Sequence, residues 1–334
     1  MERIITPTVA SPILDMHRQP SVLTNEKAGY FFYGVYMSAV KKGYFNKSID
    51  KWTGDEKAEI RDIYQQCLDR LETASTRALS RSKIMFTKEH AFWFANPATL
   101  LETASDSTLE PAARTNDFRL KFPSIYGHGQ TFSPNNKTIF PDEYLRTWRF
   151  AFMIRHPALA WPSMHRAMYK LSKIGWFDED GAMGVLVNNM TWKWTRQLYD
   201  WCMQNSDVLS APLILDAHDV IHNPDVVFRF CELTGLDKDT VQFEWGDDTR
   251  AEKPTQGGQN GLWNVQNEAV HIMTSTLKES NGVIKGKTPA VVDIDAEVEK
   301  WKDEFGIETA AFLENAVRET MPDYEYLRER CLRV

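Results

Sequence analysis

The sequence predicts an α/β protein with a mainly parallel sheet and helices on both faces, and three observations lead to that prediction. Its 334 residues, 43% of them hydrophobic, can bury the core of one large domain. Short, nearly continuous apolar runs, which are typical of buried parallel strands, recur along the chain. Segments with helical periodicity separate these runs, and such alternation is typical of helices packed on both faces of a parallel sheet.

Four apolar runs are predicted to be strands. They are Arg3–Ile5, Lys83–Thr87, Phe150–Ile154 and Pro212–Leu215.

Capping residues and apolar spacing predict the helices between these strands. Pro12 suits a first helical turn, Thr53 and Glu56 form a capping box, and Asn223, Pro224 and Gly235 are start and stop signals. The predicted helices begin near 12, 53 and 157, span Met183–Met203 as one tryptophan-rich helix, and begin again at 224.

Residues 95–142 are rich in proline, asparagine, glycine and serine and show little periodicity. We interpret them as a long irregular insertion that shapes a substrate pocket, within a single domain of residues 1–334. His128 in this insertion, with Trp93 and Phe94 just before it, are candidate pocket residues.

Composition excludes several classes of partner. The net charge of −7 argues against a protein that coats nucleic acid, but it permits a local basic pocket for one phosphate. The four cysteines lack metal-ligand spacing, so we expect no metal site, and scattered thiols suit a reducing compartment. No signal peptide or membrane span is expected, which favours a cytoplasmic protein. The expected partner is a small-molecule substrate, not nucleic acid or a membrane. The oligomeric state is left open.

Three segments that follow predicted strands carry the candidate chemistry, at residues 6–12, 88–90 and 155–163. Ligands of parallel sheets bind at the carboxyl ends of strands, so these segments are expected to converge on one site. By themselves Lys88 and His90 read more readily as structural residues. Arg155 with Ser163 eight positions later could hold a phosphate, or Arg155 could simply close a surface ion pair.

At these residues the chain resembles the sulfotransferases, which use the cofactor PAPS. The run from Phe152 to Arg166 resembles their 3′-phosphate-binding segment, and Leu213–Leu236 resembles a later strand–helix segment. The C-terminal run, around Trp301–Gly306 and ending in Asp323–Leu327, looks like the tail of fungal sulfotransferase-like proteins. The resemblance implies a sulfotransferase-like fold of the P-loop NTPase type.

The same resemblance implies roles for individual residues. Lys88-Glu89-His90 is similar to the family's Lys-x-His segment, so His90 corresponds to the general base, with Lys88 beside it. Arg155 and Ser163 correspond to the pair that holds the 3′-phosphate.

The phosphate loop departs from the family's pattern. If Pro7 is aligned with the motif's proline, Thr8 stands where a Lys or Arg belongs, and Val9 replaces a serine. Pro12 offers no backbone N–H to an anion, although Ser11 retains a hydroxyl. The C-terminal cofactor loop is represented only by the basic stretch Gly282–Lys287, which we interpret as a solvated loop. The 5′-phosphosulfate site is therefore predicted to be degenerate, unless the loop lies elsewhere.

Three functions follow from this pattern. The first, favoured narrowly, is a natural-product enzyme that uses His90 and Lys88 for acid–base chemistry, such as cyclisation, dehydration or isomerisation, with no cofactor. The second is a PAPS-dependent sulfotransferase that would also bind the product nucleotide PAP. The third is a catalytically silent binding protein.

Overall fold

The computed structural model describes residues 3–6, 11–14, 19–23, 29–100, 116–127, 129–206, 211–245, 268–275 and 279–334. Within them five strands form one sheet in which every pairing is parallel, in the order β2-β3-β1-β4-β5. The strands are β1 (Arg3–Thr6), β2 (Val22–Leu23), β3 (Ile84–Lys88), β4 (Arg149–Ile154) and β5 (Leu213–Asp216). All four predicted strands are present, and the two-residue β2 is the one that the sequence pattern missed.

Helices surround this sheet. Among the described residues they are α1 (Ser11–Leu14), α2 (Tyr33–Lys41), α3 (Gly54–Ser80), α4 (Pro97–Leu100), α5 (Asp142–Leu145), α6 (Pro157–Lys173), α7 (Glu179–Asn189), α8 (Lys193–Asn205), α9 (Ala217–His222), α10 (Pro224–Thr234), α11 (Ile294–Phe305) and α12 (Ile307–Arg328). Residues 268–275 are also helical.

Two separate apolar cores show that both faces of the sheet are covered. Along β4, Phe150 and Phe152 belong to one core, whereas Ala151 and Met153 belong to the other. Alternate side chains of a strand point to opposite faces, so each core lies on its own side. The first is built mainly with α2, α3, α6, α8 and α12, and the second with α1, α9 and α10. The predicted α/β class with helices on both faces is confirmed.

The helix signals are confirmed with two differences. Thr53 and Glu56 form the reciprocal capping box at the start of α3, and Gly235 ends α10 with a φ of 68°. Asn223 precedes α10 as predicted, but its side chain makes no capping hydrogen bond.

The predicted single helix over Met183–Met203 is wrong. It is divided into α7 and α8 at residues 190–192, where the Thr191 hydroxyl accepts the N–H of Lys193 at 3.1 Å. This local hydrogen bond competes with helix continuation.

No helix in the described ranges is both long enough and apolar enough to cross a membrane.

Candidate active site

The sheet order brings the predicted site segments to one edge. Thr6 at the end of β1 pairs with Lys88 at the end of β3, and β1 also pairs with β4. Arg155 directly follows β4, which is two strands away from β3, and the register places Arg155 four residues beyond the level of Lys88, so the two backbones are separated by roughly 16 Å. Residues 7–10, which include Thr8, follow β1 in the sequence and lie outside the described residues, as does the side chain of Ser11.

A bend at Gly29 and Tyr30 covers the end of β3. Gly29 forms an isolated parallel bridge with Lys88, and the N–H of Tyr30 donates to the Lys88 carbonyl at 2.6 Å. Gly29 has a φ of 138°, and a Cβ there would lie 2.2 Å from the Lys88 nitrogen. Only glycine fits this contact, which holds the bend directly against the backbone of Lys88.

Glu89 holds the same bend in place through hydrogen bonds. Its side chain is 1% exposed, and its carboxyl oxygens accept the backbone N–H groups of Phe31 at 2.5 Å and Phe32 at 3.3 Å. These two N–H groups precede α2, where a helix leaves its donors without partners inside the helix. Burial raises the pKa of Glu89 to about 8, although the backbone hydrogen bonds oppose the rise.

Lys88 and His90 flank Glu89 and are enclosed by aromatic rings. The Lys88 Nζ lies 4.4 Å from the centroid of the Tyr30 ring. The His90 ring is parallel to that of Tyr30 within 8°, with centroids 6.1 Å apart, and its centroid is 4.3 Å from that of Trp93.

Burial in this enclosure lowers the pKa of both side chains and so favours their neutral forms. Burial lowers the pKa of Lys88 to about 8, and burial together with the Lys88 charge lowers the pKa of His90 to about 3. His90 is therefore a neutral imidazole near pH 7, whereas Lys88 is still mostly an ammonium, with about a tenth of it a neutral amine.

The three candidate pocket residues have different surroundings. Trp93 packs against His90 and lines a small cavity with aromatic residues of α2 and α3, and its indole N–H has no hydrogen-bond partner among the described residues. Phe94 is 1% exposed and packs against Phe32 and Phe140 in the core. His128 lies outside the described residues.

A second small cavity lies between α8 and the insertion. It begins at Ala91 and is also lined by residues 135–138 and by Trp194 and Trp201. His90 is at neither cavity wall in the described structure, but Ala91 and Trp93, which follow it, line one each. The described part of the insertion consists of short helical turns and irregular chain.

At the other end of the edge, Arg155 keeps unused donor capacity. Its Nη2 donates to the Lys287 carbonyl at 2.9 Å, whereas its buried Nε has no hydrogen-bond partner in the structure as described. Burial and the charge of Arg166 lower its pKa, and Asp216 opposes them. Ser163 is exposed on α6. Because Arg155 makes no hydrogen bond to a carboxylate among the described residues, this edge can accept an anion.

The basic stretch near the C-terminus belongs to the Arg155 region. Residues Lys285–Lys287 form a 3-10 turn, and the side chains of Lys285 and Lys287 are exposed. The hydrogen bond to Arg155 fixes the turn beside β4, which the interpretation as a solvated loop did not foresee.

The described residues contain no cluster of three or more His, Cys, Asp or Glu side chains that could hold a metal ion.

Comparisons with known proteins place the chain in a family. It is 33% identical over 332 residues to the protein named sulfotransferase ppzF of Metarhizium rileyi, covering 96% of this chain and 91% of that protein. It is 34% identical over 297 residues to sulfotransferase ppzF of Metarhizium majus, covering 86% and 81%. The chain belongs to this fungal sulfotransferase-like family. No family model and no solved structure matches it.

A family that contains sulfotransferase-named proteins gives the enclosed Lys88–His90 pair its context. Glu89 and Tyr30 are the two neighbours of that pair that the sequence motif did not single out. A signal for Glu89 was present, since an acidic side chain directly after a buried strand is expected to need backbone donors if it is also buried.

The contact between Gly29 and Lys88 leads to a test of the bend. Gly29→Ala is expected to lower the free energy of unfolding by about 1–3 kcal/mol, because the new Cβ meets backbone atoms and φ is positive. Gly34→Ala is the control, since it lies in α2 with its nearest neighbour 4.0 Å away, at an Arg70 side-chain nitrogen. Urea denaturation of both variants checks this; equal stability of the two would show that Gly29 does not lie against Lys88.

Proposed function

We propose that the protein is a small-molecule enzyme that performs acid–base chemistry at Lys88 and His90 without a sulfuryl donor. The observation that supports this best is geometric: Lys88 and His90 lie together at the carboxyl end of β3 and are enclosed by the rings of Tyr30 and Trp93. Cyclisation, dehydration and isomerisation of a natural-product intermediate are reactions that such a pair can serve. The family contains sulfotransferase-named proteins, and this proposal departs from that name.

The mechanism follows from the protonation states. Neutral His90 accepts a proton from a hydroxyl group of the substrate as a general base, and the negative charge that develops on the substrate offsets the cost of the buried imidazolium. Lys88, which near pH 7 exchanges between ammonium and amine, donates a proton or hydrogen bond to the oxygen that gains negative charge. Aromatic rings around the pair exclude water, which strengthens these interactions.

The residues fit PAPS at one end only. Arg155, with its unpartnered buried Nε, together with exposed Ser163 and Lys287, would hold the 3′-phosphate. At the other end Thr8 replaces the cation that the family's loop supplies, and Pro12 cannot donate. PAPS when bound would supply a sulfuryl group for a substrate hydroxyl, and the sequence of residues 7–12 lacks the cation that would hold that end of it.

The open donor of Arg155 nevertheless favours a second candidate, PAPS-dependent sulfuryl transfer, and it equally suits an acidic substrate.

The finer description of the fold is also a proposal. The all-parallel order β2-β3-β1-β4-β5, with a candidate site at the carboxyl ends, supports a sulfotransferase-like fold of the P-loop NTPase type. Four buried free thiols support a reducing location such as the cytoplasm.

Calorimetric titration separates the two candidate functions. PAP and PAPS are expected to bind the wild-type protein weakly, with Kd above about 100 μM, because one cation and one backbone donor are missing from residues 7–12. Thr8→Lys is expected to tighten binding by about tenfold or more, a typical worth of one charge-assisted contact. Micromolar PAPS binding to the wild type would contradict the proposal and support sulfuryl transfer.

The base can be tested in a reaction that contains no PAPS. His90→Ala is expected to lower substrate turnover by about 100-fold or more, the usual contribution of a general base. His271→Ala is the matched control, because His271 is exposed and lies on the helical segment 268–275. Full turnover in a folded His90→Ala variant would remove His90 from the mechanism.

A further inference from the structure

Tyr30 holds a conformation that tyrosine rarely adopts. Its φ is 62°, in the left-handed region, where a residue with a side chain is strained. Backbone strain of this kind persists where the surrounding structure enforces it, and it is concentrated at functional sites. Here the bridge at Gly29 and the Glu89 contacts enforce it.

The strained backbone places the ring against both members of the proposed acid–base pair. The ring lies 4.4 Å from the Lys88 Nζ and is stacked in parallel with His90. A third contact joins the ring to Trp93, at a centroid distance of 5.3 Å. Tyr30 is thus in contact with Lys88, His90 and Trp93 at once.

The hydroxyl of Tyr30 makes no hydrogen bond to the described residues. The ring is half-buried and its pKa is raised by burial and by Glu89, so the hydroxyl stays protonated at physiological pH. No described residue hydrogen-bonds to it, and it is not among the described buried atoms that lack a partner. A phenol in contact with the protein interior usually has a hydrogen-bond partner, and the described residues supply none for Tyr30, so its O–H can donate to a ligand.

We propose that Tyr30 is a third residue of this site, whose ring positions and desolvates Lys88 and His90 and whose hydroxyl binds an oxygen or nitrogen acceptor on the substrate. The inference rests on the proposed function for the substrate contact. The substrate class that it implies carries an acceptor atom, such as a carbonyl oxygen, next to the position that exchanges a proton. The ring's effect on Lys88 needs no substrate.

Two substitutions separate the ring from the hydroxyl. The reactivity of Lys88 is measured against pH with an amine-directed acylating reagent, and the labelled peptide is quantified by mass spectrometry. Tyr30→Leu is expected to raise the labelling midpoint by at least about one pH unit, because water returns to the ammonium and burial is the largest cause of its lowered pKa. Tyr30→Phe keeps the ring and is expected to leave the midpoint unchanged.

Tyr33 supplies the control. It contacts Trp93 at 5.4 Å as Tyr30 does, but it makes no ring contact with Lys88 or His90 in the described structure. Tyr33→Leu is expected to leave the Lys88 midpoint unchanged. An unchanged midpoint in a folded Tyr30→Leu variant, or an equal change in Tyr33→Leu, would overturn the positioning role.

The hydroxyl is tested by steady-state kinetics in the PAPS-free reaction. Tyr30→Phe is expected to raise KM by about fivefold or more with little change in kcat, because one substrate hydrogen bond is lost. An unchanged KM would overturn the substrate contact. Labelling requires no turnover, so its result remains interpretable even if PAPS proves to be the cofactor.

Discussion

The burial of Glu89 between Lys88 and His90 is the constraint on which the site depends. A carboxyl group that is 1% exposed requires hydrogen-bond donors, and the backbone N–H groups of Phe31 and Phe32 supply them. These contacts tie the start of α2 to the end of β3 and hold Gly29 and Tyr30 across Lys88. The aromatic enclosure follows from the tie, and the lowered pKa values of Lys88 and His90 follow from the enclosure.

The fold was largely predictable from the sequence, whereas the interior of the site was not. Phe150–Ile154 is a long apolar run, so its strand and its place in the sheet could be read directly. The two-residue β2 carries too little pattern, and the break between α7 and α8 depends on a local Thr191 hydrogen bond. Tyr30 reaches Lys88 only because a bend 58 residues before Lys88 folds over β3, and periodicity does not encode such a contact.

At the carboxyl end of the sheet, some residues keep the family's pattern and others depart from it. Arg155 retains a free donor that suits an anion, and Lys88 and His90 retain the family's positions, but residues 7–12 lack the family's cation. A site with its base enclosed and its sulfuryl donor loop altered suits chemistry in which protons are the only groups transferred.

The most direct measurement is the pH dependence of stability in wild type and Glu89→Gln. An ordinary glutamate ionises near 4.5, and Glu89 ionises near 8 in the folded protein, so between these values the folded state binds more protons. The free energy of unfolding of wild type relative to Glu89→Gln should therefore fall by about 1.4 kcal/mol per pH unit as pH rises through that window. It should become constant above about pH 8. A difference that stays constant, or that rises with pH, would show that Glu89 is ionised when folded and would contradict the account.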